Sequence, residues 1–257
     1  MTFDQSGFDV RCEWGQRGVA ELAASSDVIV IVDVMSFSTC VEIAVGRGAV
    51  VYPYGRRDAS ARQFADSLDA ELVGKRSKAR YSLSPESLTG IPAGTRLVLP
   101  SPNGSSLSLA TGSTITLCGC LRNCRAVAEA AMQMGRRISV VPAGERWKVD
   151  DSLRPAVEDL IGAGAVIAHL KGSMSPEAYA ALCAFGGAET NVHGLLAHCS
   201  SGRELETAGF SADIDLIAAV DVSDTVPILS HGAFVPIRSL RVRRVRQTPR
   251  SRAGRKS

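Results

Sequence analysis

The sequence predicts an α/β fold, with a mainly parallel sheet covered by helices on both faces. Three observations carry this. Short β-branched runs alternate with helix-length segments from residue 8 to about residue 144. The run DVIVIVDVM (27–35) is apolar without alternation, as expected of a strand buried on both faces. Aromatic residues make up only 5% of a chain that is 45% hydrophobic, which favours close packing of helices on a sheet through small and aliphatic side chains.

The elements follow in order. FDVRC (8–12) alternates and predicts a strand, and QRGVAELAAS a helix. The strand 27–35 runs into SFSTCVEIAVGRG, a helix for which Ser36 or Ser38 is a suitable N-cap. GAVVYPYG reads as a strand and DASARQFADSLD as a helix; residues 74–95, polar and rich in Pro and Gly, read as a long loop. TRLVLP (95–100), STITLCG (113–119) and RRISVVPAG (136–144) are strands, separated by SSLSLATG and the amphipathic CRAVAEAAMQMG (124–135). Beyond the acidic loop ERWKVDDS the pattern turns helical, from LRPAVEDLIGAGAVIAHL to SADIDLIAAV, and TVPILSHGAFVPI returns as extended chain.

The formal charge of +3 is unevenly placed. Residues 238–257 hold eight Arg, one Lys and no acid, so residues 1–237 carry −6. This predicts an α/β domain over 1–237 and a basic, disordered tail over 238–257. The scarcity of aromatics argues against nucleic acid as a partner of the domain, leaving the tail as the one segment suited to it. The sequence has no long uncharged apolar run and no basic-then-apolar leader, so neither a membrane nor secretion is expected. Seven scattered cysteines suit a reducing cytoplasm. A homodimer is the default assembly.

In open α/β sheets ligands bind beyond the carboxyl ends of the strands. Asp33 ends a strongly apolar strand, where a carboxylate is costly unless hydrogen-bonded, paired or on a metal; it is a functional acid or a cap for the next helix. In LVLPSPNGSSLSLA (97–110), Asn103, the Gly104 backbone and Ser105 open a short helix. They suit an anion such as phosphate, or form an ordinary Asn-Gly turn. Asn123 follows the 113–119 strand, and Arg146 follows Glu145 after the last one. Glu145, Asp150, Asp151, Glu158 and Asp159 crowd one region. Their hard oxygens suit Mg²⁺, which takes one or two carboxylates and keeps several waters. Glu158 and Asp159, adjacent on a helix, point about 100° apart and so do not both ligate one ion.

Other signatures fail. No Cys-x5-Arg loop is present, and DIDLI (213–217) lacks the preceding hydrophobic strand that a phosphatase Asp-x-Asp motif needs. His193 and His198 fall on different helix faces, and Cys118, Cys120 and Cys124 lack a second pair for zinc.

Taken in order, VIVIVDVMSFSTCVEIAVGRGA, LVGKR (72–76), LVLPSPNGSSLS, LCGCLRNCRAVA, VVPAGERW with LRPAVEDLIGAGAVI, and GFSADIDLIAAVDVSDTVP resemble the 2-phosphosulfolactate phosphatase family. The resemblance covers roughly residues 8–236. It implies a Mg²⁺-dependent phosphatase of two intertwined similar halves, acting on a small phosphorylated organic acid. It carries Asp33, Asn103, Gly104, Glu145, Glu158 and Asp159 over as site positions. We take Asp33, Glu158 and Asp159 as the catalytic set, and Asp33 and Glu145 as the Mg²⁺ ligands. Ser36, Arg76, Asn103, Gly104, Ser105, Asn123 and Arg146 are the substrate-binding set. Two positions depart from the family pattern: Ser36 stands where an Arg is usual and Lys75 where a Glu is usual. A small-anion-binding or regulatory protein of the same fold is the alternative expectation.

Overall fold

The computed structural model describes residues 2–76 and 78–237. The basic tail expected over 238–257 lies outside the described residues. A nine-stranded sheet is built from β1 (Val10–Cys12), β2 (Val28–Val32), β3 (Val50–Tyr54), β4 (Glu71–Leu72), β5 (Arg96–Pro100), β6 (Ile115–Gly119), β7 (Ile138–Pro142), β10 (Pro227–Ser230) and β11 (Ala233–Pro236). A separate two-stranded ribbon pairs β8 (Glu145–Arg146) with β9 (Leu153–Arg154).

The strand order is β1-β7-β2-β6-β10-β11-β3-β5-β4. Two parallel groups result, β1-β7-β2-β6 and β3-β5-β4, joined by the antiparallel hairpin β10–β11. The halves are intertwined in sequence: the chain leaves the first group after β2, builds the second, and returns for β6 and β7. The extended segment read at 225–237 is therefore the middle of the sheet.

Helices α1 (Gly15–Leu22), α2 (Phe37–Gly46), α3 (Ala59–Ser67), α4 (Pro85–Leu88), α5 (Gly104–Ala110) and α6 (Cys124–Met134) connect these strands. Helices α7 (Val157–Ile167), α8 (Pro176–Ala188), α9 (Val192–His198), α10 (Ser200–Thr207) and α11 (Ser211–Ile217) follow. β2 explains why the sheet is covered twice. Its five residues are fully buried, with Val28, Val30 and Val32 in the core built with α6, α7 and α8, and Ile29 and Ile31 packed with Val19 of α1 and Leu107 of α5. A third core places α2 against Val51, Leu97, Leu99 and Phe234. Small residues set the α7–α8 contact: a Cβ at Gly164 would lie 2.0 Å from the Ala181 carbonyl oxygen.

Three local readings are corrected. The loop 145–152 is a β ribbon, Trp147 to Ser152 closing it by a backbone hydrogen bond. Residues 153–154 form β9 and Ala156 is an extended N-cap, so the helix begins at Val157. The 74–95 loop contains the short helix α4, with Pro85 at its first turn. Among the described residues no helix is long and apolar enough to cross a membrane.

Candidate active site

Asp33 stands where β2 gives way to α2. Its backbone is tied into the helix start: the Asp33 N–H donates to Ser38 Oγ at 2.9 Å, and the Ser38 N–H to the Asp33 carbonyl at 2.8 Å. Its carboxylate accepts the Gly104 N–H at 2.9 Å and the Phe37 N–H at 3.4 Å. Four strands lie between β2 and β5, yet α5 brings Gly104 back across the sheet to Asp33. That approach requires glycine, because a Cβ at 104 would lie 2.2 Å from the Phe37 ring and 2.8 Å from Asp33 Oδ2.

Glu145 begins β8, just past β7. It accepts the Asn103 side-chain amide at 3.0 Å, so the loop before α5 also orients the second acid. Burial raises the Asp33 carboxyl to about 7, with the charge of Glu145 adding to the shift; the Gly104 and Phe37 N–H groups and the charge of Arg57 oppose it. Glu145 is raised chiefly by burial, while the Asn103 amide pulls it down.

Asp159, in the first turn of α7, faces inward. Its Oδ1 accepts the Val34 N–H at 2.7 Å and its Oδ2 the Gly144 N–H at 2.8 Å. It thus fastens the residue after Asp33 to the residue before Glu145. Burial, then the charges of Asp33 and Glu158, hold it well above the usual carboxylate range. Glu158 is also buried and accepts from Ser201 Oγ of α10, while its charge raises both Glu145 and Asp159. The two neighbours point apart as helix geometry requires.

A cleft of about 620 Å³ opens beside these acids. Ser36 and Glu145 line it, with Arg57, Lys75 and Arg76 as cations and Asp58 and Glu204 as further acids. A smaller cavity of about 220 Å³ shares Glu145 and includes Asn103, Arg17 and Arg146. The cleft lining thus combines three cations, suited to the negative groups of an anionic ligand, with three carboxylates.

The structure brings Asp33, Ser36, Arg76, Asn103, Gly104, Glu145 and Asp159 to this one region. Other expected residues are used differently. Asn123 is fully buried and holds backbone: its Oδ1 accepts the Cys120 N–H, and its amide donates to the carbonyls of Cys118 and Thr225. Ser105 Oγ donates to the Leu99 carbonyl, and the Gly104 N–H is taken by Asp33. Arg146 lines the smaller cavity and binds Asp151 through both its carbonyl and its carboxylate. Arg57, Asp58 and Glu204 were not expected. Arg57 and Asp58 follow β3 directly, so the strand-end rule applied to GRRDAS would have reached them.

Among the described residues no group of three or more His, Cys, Asp or Glu is arranged to hold a metal. Two carboxylates are nevertheless enough for Mg²⁺, which keeps most of its waters. Asp33 and Glu145 are two oxygen-donor side chains near enough for the charge of Glu145 to raise the Asp33 carboxyl.

Residues 17–232 match the family model described as 2-phosphosulpholactate phosphatase. The chain is 30% identical over 148 residues to 2-phosphosulfolactate phosphatase of Methanothermobacter thermautotrophicus, a match covering 58% of this chain and 62% of that one. It is 26% identical over 216 residues to a probable 2-phosphosulfolactate phosphatase of Carboxydothermus hydrogenoformans, covering 79% of this chain and 87% of the relative. A probable 2-phosphosulfolactate phosphatase of Thermotoga maritima is 28% identical over 144 residues, covering 56% of this chain and 60% of the relative. The chain thus spans about three fifths of the length of two of these relatives. The match over residues 17–232 takes in most of the motifs in their order, and the chain belongs to the 2-phosphosulpholactate phosphatase family.

Proposed function

We propose that this protein hydrolyses the phosphate monoester of a small anionic organic acid of the 2-phosphosulfolactate class, with Mg²⁺ held by Asp33 and Glu145. The observation that carries this reading is the carboxylate pair Asp33–Glu145 beside a cleft lined by Arg57, Lys75 and Arg76. The names of the relatives support the same substrate class.

Phosphoryl transfer depends on charge neutralisation and alignment more than on a special side chain. When bound, Mg²⁺ supplies neutralisation at the phosphoryl oxygens. Asn103 orients Glu145, the Gly104 N–H orients Asp33, and Asp159 holds the two turns at a fixed separation. The cations of the cleft receive the remaining acidic groups of the substrate. All seven cysteines are free, which supports a reducing cytoplasm as its place of work.

The test is phosphate release from a panel of small monoesters, 2-phosphosulfolactate included, with and without Mg²⁺. We expect Mg²⁺-dependent release that Asp33→Asn lowers by about a hundredfold or more. No release from any ester by the wild-type protein would sink the reading, and binding without release would leave an anion-binding protein of this fold.

A further inference from the structure

The DIDLI segment answers a question that the carboxylate pair leaves open, namely how the cleft keeps a cation in place. Asp215 is exposed and pairs with His193 at 2.8 Å. Asp213 is fully buried. Its Oδ1 accepts Ser84 Oγ at 2.6 Å and the Glu86 N–H at 3.0 Å, ties that span up to 129 residues of sequence. Among the described residues its Oδ2 makes no hydrogen bond, and it lies 3.7 Å from Arg76 Nη1.

Arg76 is held from three sides. Its Nε and Nη2 both donate to the Leu83 carbonyl, at 2.9 Å for Nε. Its guanidinium lies over the Phe210 ring, 5.2 Å from the centroid. Nη1 faces Asp213, and the side chain lines the cleft. A buried carboxylate oxygen without a hydrogen bond is costly unless a cation compensates it. The two groups therefore need each other, and Nη1 keeps donors for an incoming anion.

We propose that Asp213 is a positioning residue: it fixes Arg76 in the cleft and so sets the preference for phosphate esters that carry a second acidic group. The proposal rests on the phosphatase reading for its substrate class, and α11 is then part of the specificity apparatus although it touches no substrate. Asp213→Asn is the informative change, because the amide keeps Oδ1 for Ser84 and Glu86 and replaces the charged acceptor that faces Arg76 with an NH₂.

The experiment compares kcat/KM for 2-phosphoglycolate, which bears a carboxylate, with that for ethyl phosphate, which does not. The ratio is expected to fall by about fivefold or more in Asp213→Asn, mostly through KM, and to fall no further when Arg76→Ala is added. Phe210→Leu leaves the carboxylate in place and is expected to move the ratio the same way by about twofold. A parallel calorimetric titration reads binding alone, where Asp213→Asn is expected to weaken 2-phosphoglycolate by about fivefold relative to inorganic phosphate. If the wild type releases phosphate from neither ester, the phosphatase reading fails while the titration still judges the positioning role. Equal losses for both esters and both anions would make Asp213 merely structural and overturn the proposal, as would a wild type that binds 2-phosphoglycolate no better than phosphate.

Discussion

The backbone N–H of Gly104 points at the carboxylate of Asp33 from 2.9 Å, joining the start of α5 to the end of β2. The contact leaves no room for a side chain at 104. Gly104→Ala must push the Phe37 ring and the Asp33 carboxylate aside, an overpacking cost of about 1–3 kcal/mol. A thermal melt is expected to drop by about 2–4 °C for each kcal/mol in a chain of this size. Phosphate release is expected to fall by about tenfold or more. A variant with wild-type turnover would show that the Asp33 position tolerates displacement.

Asp159→Asn tests the fastening between the two acidic turns. The amide turns an NH₂ toward either the Val34 or the Gly144 N–H, both of which now donate to the carboxylate. One buried donor is left unpaired, at a cost of about 1–3 kcal/mol. Hydrogen exchange resolved by residue is expected to show lost protection at Val34 and Gly144 first. Unchanged protection there would remove Asp159 from its holding role.

Mg²⁺ is expected to stabilise the wild-type protein. Binding to the folded state alone contributes about 2.7 kcal/mol at a hundred times Kd, or about 5–10 °C in the melt. Glu145→Gln, which keeps an acceptor for Asn103 but removes a charge, is expected to shift the Mg²⁺ titration to concentrations higher by about tenfold or more. A chelator reverses the effect. A melting temperature indifferent to Mg²⁺ would argue against the Asp33–Glu145 assignment.

At the opposite end of the sheet, Asp27 accepts the N–H groups of Arg136 and Arg137 at 3.0 and 2.8 Å and pairs with the Arg137 guanidinium at 2.7 Å. The Arg137 side chain above all, then these backbone donors, holds its carboxyl well below the ordinary range. A depressed folded-state value means the stabilisation is complete above the unfolded value of about 3.9 and fades as pH falls through the folded one. The site is partly exposed and screened, so Asp27→Asn is expected to cost about 1 kcal/mol, or about 2–4 °C, at neutral pH. The gap between wild type and variant should close below about pH 4. A gap independent of pH would show that the charge does not matter there.

Much of this was legible in the residues. The unbroken VIVIV of β2 announced a strand covered twice, and Asp33 at its end stood out because a carboxylate there needs partners. Glu145 and Asn103 followed from the same strand-end rule, and they meet. What escaped depends on distant pairing. Asn123 has the right type and place for ligand binding, but its amide is occupied by backbone at residues 118, 120 and 225. Asp213 looked like one face of a short helix, since nothing local reveals that Ser84, Glu86 and Arg76 fold against it. The hairpin β10–β11 read as plain extended chain, because neither four-residue strand says which neighbours will flank it.

That hairpin also dictates an order of events during synthesis. β10 and β11 leave the ribosome after every other strand of the described residues, yet they occupy the seam between β6 and β3. Each parallel group can form its own ladders early, but the two are bonded into one sheet only when residues 227–236 arrive. Asp33 belongs to the first group and Asn103 follows the second, so the cleft is complete only once residues 227–236 have joined the sheet. Such late, non-local closure makes for slow folding with edges exposed in the interim. A nascent chain stalled before the hairpin would hold both acids and neither a finished sheet nor a working cleft.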